Sequence, residues 1–307
     1  MEIPLSERKI FLKKLLNFGC GSMAYNQRYL GVAGNQIGLI DRVTGEVSKW
    51  HGAENIASLQ MDDEYIYEKT TSGTYYVFNL ETKVLQHKGY CREKKSSNHD
   101  GKFFLYAKGI VLDVLSFKNG ERYIVKYNLE TQTYERTRVS ASNYVCKDWY
   151  VDYDARKAYL LFTETCCLNH EQTNCYISSV NIDTLQIETE TLLSFEHGVF
   201  PIGLLHTNLV LLNNMQIADT AASKRICMDS NNYFQNKTYG YFVRLHIQPN
   251  RQILFVFSKG VLFYDYNVQK LLRVYPCQYG DNAMCLDGKI FIATWNGLFS
   301  EPIEIME

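Results

Sequence analysis

Ile40-Asp41-Arg42-Val43-Thr44-Gly45-Glu46-Val47 decides the fold of this 307-residue chain, because degenerate copies of it return down to the C-terminus. An alternating apolar run, Ile37-Gly38-Leu39-Ile40, enters the stretch, and a second run, Val47-Ser48-Lys49-Trp50, leaves it. The pattern is that of a β-hairpin. Asp or Asn at the first turn position can bond the backbone two residues on, Thr three positions later backs this up, and Gly supplies the left-handed conformation that closes the loop. Copies stand at Asn79-Leu80-Glu81-Thr82, Asn128-Leu129-Glu130-Thr131 and Asn181-Ile182-Asp183-Thr184, with weaker ones at Asp219 and Asp265 and a seventh place at Glu301.

The steps between these positions are 38, 49, 53, 38, 46 and 36 residues. Four-stranded blades repeat at about 40 to 50 residues. Helical repeats of similar period need apolar faces at i, i+3 and i+4, whereas almost every apolar run here alternates. A second set of tight turns falls midway, at Met61 to Glu64, His99 to Lys102, Asp154 to Lys157, Pro249 to Gln252 and Asp287 to Lys289. Each precedes a strongly β run such as Phe103-Phe104-Leu105-Tyr106, read here as a second strand. Two hairpins per period give an all-β fold: a seven-bladed β-propeller of four-stranded antiparallel blades, strands A to D.

Asp41-Arg42-Val43-Thr44-Gly45 with Trp50 resembles the Asp-x-x-Thr-Gly…Trp blade signature of the WD40-like and quinoprotein-like propeller repeats, and the Asn-x-x-Thr copies resemble its decay. The resemblance covers nearly the whole chain and implies the propeller fold. Only the first copy carries both Gly and Trp, so the fold is carried over and no quinone cofactor is expected.

Composition agrees. Aromatics make up 14% of the residues, led by 23 Tyr, which suits sheets packed face to face. Five prolines leave the ladder donors intact. Thirty-two basic and 33 acidic residues give a net charge of −1, so no electrostatic footprint for nucleic acid or an anionic membrane is expected. The apolar run near the N-terminus is broken by Lys13 and Lys14 before it becomes a signal core, and no segment approaches a membrane span. Nine scattered cysteines, an odd number, read as reduced thiols of a cytoplasmic protein; a monomer is expected, though no residue pattern sets the oligomeric state.

Residues 1–19 are expected to close the ring, residues 6 to 18 fitting either an amphipathic helix or an extra strand, with a single propeller domain over 20–307. Blades three and four are long. Their extra residues are expected in B–C loops at 115 to 121 and 165 to 175, raising a rim on the face that also receives the connections between blades.

For chemistry, Cys166, Cys167, His170 and Cys175 could ligate zinc, but lack the Cys-x2-4-Cys knuckle, and no metal is expected. Asp62-Asp63-Glu64 reads as a turn rather than paired catalytic carboxylates. No nucleophile elbow, phosphate-cradling glycine loop or His-Glu-x-x-His occurs. Charged residues on inner strands must meet water, a partner or a ligand. On that ground Arg244 and His246, alternating on one strand, join Trp149 and Asp152 in blade four, Arg92 in a connection and Trp295 at a strand end as candidate ligand contacts, and no catalytic residue is named. Two functions fit: an interaction module binding a protein, peptide or small polar ligand on the long-loop face, and a lactonase- or lyase-like propeller enzyme working at the channel mouth with Arg244, His246 and a carboxylate.

Overall fold

A computed structural model of the chain describes residues 12–97, 101–140, 143–164, 172–196, 198–221, 224–227, 238–248, 252–266 and 270–303. Among them are 29 strands and no helix. After β1 (Lys13–Leu16), blade one is β2 (Cys20–Tyr25), β3 (Tyr29–Gly34), β4 (Ile37–Asp41) and β5 (Val47–Trp50). Blade two is β6 (Ile56–Met61), β7 (Tyr65–Thr70), β8 (Tyr75–Asn79) and β9 (Leu85–Gly89). Blade three is β10 (Lys94–Ser97), β11 (Phe103–Ala107), β12 (Ile110–Phe117), β13 (Arg122–Asn128) and β14 (Tyr134–Ser140). Blade four is β15 (Tyr144–Asp152), β16 (Lys157–Glu164), β17 (Gln172–Asn181) and β18 (Ile187–Glu196). Blade five is β19 (Pro201–His206), β20 (Leu209–Leu212), β21 (Gln216–Asp219) and β22 (Lys224–Cys227). Blade six is β23 (Phe242–Ile247), β24 (Gln252–Phe257), β25 (Gly260–Asp265) and β26 (Lys270–Pro276), and blade seven β27 (Gly280–Leu286), β28 (Lys289–Thr294) and β29 (Gly297–Pro302). The sheets are antiparallel and follow the chain order, except that β10 and β11 both pair with β12 and β1 joins β29, giving a seven-bladed β-propeller.

The hairpin turns obey the chemistry of the repeat. The Asp41 carboxylate accepts the N–H groups of Val43 and Thr44, both at 2.9 Å, and the Asn79, Asn128 and Asn181 side chains do the same two and three residues on. The fifth turn residue has positive φ in all four: Gly45 (75°), Lys83 (62°), Gln132 (57°) and Leu185 (57°). Three copies therefore bear the left-handed strain that glycine avoids, and in blade two strand D begins only at Leu85, past Lys83, rather than at Lys83.

Contacts divide the chain into two compact units, Met1–Leu59 with Met228–Glu307, and Gln60–Cys227. In the first, β1 is the fourth strand of blade seven, antiparallel to β29 with Lys14 opposite Phe299 and Leu16 opposite Leu298. Leu16, Phe18, Met23, Leu30, Phe291 and Leu298 form its core between blades seven and one. The second unit is filled by Tyr67, Tyr75, Phe103 and Tyr127 between blades two and three, and by Trp149, Leu160 and Phe162 between three and four.

Three sequence expectations are corrected. Phe103 to Tyr106 belong to the first strand of blade three, which is split: β10 pairs with the end of β12 and β11 with its start, so the A–B turn is at Lys108-Gly109, not at His99 to Lys102. The expected long loop at 115 to 121 is a tight turn, Gly120 N–H bonding Phe117 O at 2.9 Å, because residues 115 to 117 continue β12. In blade four, residues 172 to 175 are likewise strand: β17 and β18 have ten residues each. Extra residues thus lengthened ladders, which satisfy backbone groups that a loop would leave to water. Residues 165 to 171 of that loop, with Cys166, Cys167 and His170, lie outside the described residues, as do His197 and Pro249 to Arg251.

Tight turns also clasp neighbouring blades within the second unit. Asp183 pairs with Arg156, accepts the Tyr106 hydroxyl at 2.8 Å, and lends its backbone carbonyl to the Lys126 ammonium at 2.7 Å. Arg156 first, then Tyr106, holds the Asp183 carboxyl down at about 2, below its ordinary 3.8. A depressed carboxyl contributes stability that is full above its unfolded value and is lost as pH falls through the folded one. The thermal midpoint of the parent chain is therefore expected to exceed that of Asp183→Asn at neutral pH, the gap closing as pH falls from 3.8 toward about 2; a gap that persists at the acid end would refute the ionic origin.

Candidate functional site

The site is built in the first unit where the connection between blades six and seven meets the β28–β29 turn. Gly280 donates to Ser258 O at 3.0 Å, and the Trp295 N–H to Tyr279 O at 3.3 Å, bringing the two turns together. A Cβ on Gly280 would come within 2.4 Å of Phe257 O, so only glycine permits this approach. Tyr279, held at φ 57°, and Trp295 then stack with ring centroids 5.6 Å apart and planes 7° apart, yet stay 53% and 65% exposed. Parallel offset rings are favourable for each other, but so much exposed aromatic area is costly in water unless it is used.

Behind the stack lies an ion pair. Arg244 of β23 donates to Asp281 of β27 at 3.0 Å, and the neighbouring Trp295 indole also favours the charged form of this carboxylate. Burial pushes the Asp281 carboxyl up, while Arg244 and Trp295 pull it back. Bare backbone wraps the pair: a Cβ on Gly21 would stand 2.8 Å from the Asp281 carboxylate, and one on Gly19 2.8 Å from Trp295 O. Leu12, Pro276, Cys277, Gln278, Thr294, Asn296 and Phe299, three of them sequence neighbours of Tyr279 or Trp295, line a cleft of about 480 Å³, within the size range of small-ligand sites. The Cys277 thiol is pushed up to about 11 by burial, so it stays protonated at neutral pH and lacks the reactivity of a thiolate.

Of the sequence candidates, Arg244 and Trp295 are brought together here. His246 lies two residues past Arg244, half-buried, opposite Leu254 in register. Arg92 is exposed in the turn before β10, in the other unit. Trp149 and Asp152 lie in the other unit. Trp149 is fully buried, packed edge-to-face on Phe104 at 4.6 Å, so it offers no surface to a ligand. Asp152 ends β15 and accepts the Ala155 N–H at 2.9 Å, capping the turn into β16. Asp281 was missed; the glycines at 19 and 21, spaced to let another backbone approach, are the one sequence signal of its surroundings. Among the described residues no group of three or more His, Cys, Asp or Glu is placed to hold a metal ion, and no helix long and apolar enough to cross a membrane occurs.

No known protein family matches this sequence, and no curated relative does. Solved structures do resemble it in fold. The hydrazine synthase of Kuenenia stuttgartiensis superposes with a TM-score of 0.66 over 98% of this chain and 99% of that one, at 11% identity. The computationally designed Ika8 protein gives 0.57 over 94% and 97%, also at 11% identity. At such identity the likeness concerns the propeller fold alone.

Proposed function

We propose that this chain is a binding module that takes a protein or peptide on the Tyr279–Trp295 platform and in the cleft beside it. The observation that carries the reading is the stacked, exposed pair of rings, flanked in sequence by residues that line a mainly apolar cleft. Aromatic anchors beside a pocket, with an Arg held nearby, are the chemistry of binding hot spots. Hydrolytic or lyase chemistry would need an activated group in the cleft, and Cys277, protonated, is not one. The buried free thiols Cys20, Cys91, Cys146 and Cys175 support a reducing, cytoplasmic setting.

Affinity capture with the parent chain and point variants tests the reading. Trp295→Ala is expected to weaken capture of the partner by roughly 30-fold or more, the size of a hot-spot loss, and Tyr279→Ala to follow it. Charge reversal at Glu81 and Glu130, on the tight Asn turns, is expected to leave capture unchanged. The opposite pattern would place the functional surface on the tight-turn face.

A further inference from the structure

Two lysine amines stand around one buried carboxylate in the second unit, between blades two and three. The fully buried Lys69 ammonium lies 2.8 and 2.6 Å from the two oxygens of Asp113, which also accept the Val114 N–H and the Tyr75 hydroxyl. Four donors fill the acceptor sites of the carboxylate, and none is left for a second cation. Lys94 is brought to this cluster by two contacts. Its strand, β10, pairs with β12, the strand of Asp113, and its amine donates to Gly73 O, in the turn that joins Lys69 of β7 to Tyr75 of β8. Lys94 is half-buried, its amine 5.9 Å from the centre of the exposed Tyr90 ring. Among the described residues no carboxylate pairs with it.

An ammonium that is partly dry, lies near a second ammonium and has no counter-charge of its own gives up a proton readily, and a neutral lysine amine is a nucleophile. Burial, with Lys69 adding to it, lowers the Lys94 amine to about 8 against the opposing pull of Asp113 and Cys91. Other lysines lack this combination. Lys108 and Lys157 are held up by Glu64 and Glu188, and Lys69 is sealed from reagents at 0% exposure.

We propose that Lys94 is a site of covalent modification, its amine taking an acyl group from a thioester. The nitrogen lone pair attacks the thioester carbonyl carbon, the C–N bond forms as the C–S bond breaks, and the thiol leaves with the proton that the amine gives up. Nothing is oxidised or reduced. The amide product keeps one N–H, the number needed to go on donating to Gly73 O. An aldehyde fits less well, because a neutral imine has no N–H for that carbonyl, and a protonated one restores the unpaired cation near Lys69.

The full chain is treated with the acetyl thioester of N-acetylcysteamine over a range of pH, and acetylation of each lysine is followed by peptide mass spectrometry. Lys95, the exposed neighbour, is the internal control. At neutral pH Lys94 is expected to react at least tenfold faster than Lys95, since an ordinary lysine, at about 10.4, is almost wholly protonated there. The Lys94 rate is expected to level off above about 8, while that of Lys95 goes on rising. Unfolding in guanidinium chloride is expected to abolish the difference, because the fold supplies the burial and the second ammonium. Equal rates in the folded chain, a Lys94 rate that rises in step with that of Lys95 throughout, or selectivity that survives in guanidinium chloride would each overturn the inference.

Discussion

Asp113→Ala is expected to lower the stability of the chain by about 3–5 kcal/mol in urea unfolding, the cost of removing one partner of a buried ion pair. Lys69 of β7 and Asp113 of β12 are both 0% exposed, and the ammonium lies 2.6 and 2.8 Å from the two carboxylate oxygens. The Tyr75 hydroxyl donates to one oxygen and the Val114 N–H to the other, the latter at 2.7 Å. Burial drives both groups toward neutrality, pushing the Asp113 carboxyl up and the Lys69 amine down, while each holds the other charged. Taking away the carboxylate leaves the ammonium without its counter-charge and the tyrosine hydroxyl without its acceptor. Lys69→Met/Asp113→Leu removes both charges and is expected to recover most of the loss, since apolar replacements of a buried pair are often neutral or better. A single-variant loss below about 1 kcal/mol would be that of an ordinary substitution and would show that water reaches the pair.

This pair was not legible in the sequence, and the reason is general to the fold. Lys69 and Asp113 are 44 positions apart in separate blades, and a polar residue on an alternating strand reads as solvent-facing by default. Here both faces of a sheet pack against other sheets, so alternation marks a strand without marking an inside and an outside. Trp149 is buried for the same reason: β15 has buried residues in both alternating sets, Cys146 and Asp148 in one, Trp149 and Val151 in the other. The hairpin turns were legible because their chemistry is local; the Asn79, Asn128 and Asn181 side chains bond N–H groups two and three residues away. The split first strand of blade three was not, since Phe103 to Ala107 has the same β pattern whichever place it takes in a sheet, and its turn at Lys108-Gly109 carries no Asp or Asn. Arg244 and Trp295 could be singled out by type, as charge and indole at strand positions. Asp281 lies in a different blade from Arg244, and only the fold brings it within 3.0 Å of that residue.

Leu16→Ala is expected to cost about 2–5 kcal/mol, the range for deleting a buried leucine side chain, and to loosen the edge of blade seven. Leu16 is 1% exposed and sits opposite Leu298, within the cluster that also holds Phe18, Leu30 and Ala293. Its side chain lies against Gly38 of β4, where a Cβ would stand 2.7 Å from the leucine methyl. Glycine has no side chain with which to refill the space, so the cavity left by truncation stays open and the cost belongs toward the upper end of that range. Leu16→Met keeps the volume and is expected to cost less than about 1.5 kcal/mol. Hydrogen exchange locates the effect: the β29 amides around Leu298 and Ser300, which face β1, should lose protection in the alanine variant before those of β27 do. The cleft should feel the change as well, because Leu12, one residue before β1, lines it together with Phe299. Any peptide bound there is thus expected to bind more weakly to Leu16→Ala, and conversely to raise the protection of β29 in the parent chain, since a ligand that favours the docked strand must stabilise it. An alanine variant with an unchanged unfolding midpoint and unchanged β29 protection would show that β1 contributes nothing to holding blade seven, and that the cleft does not depend on it.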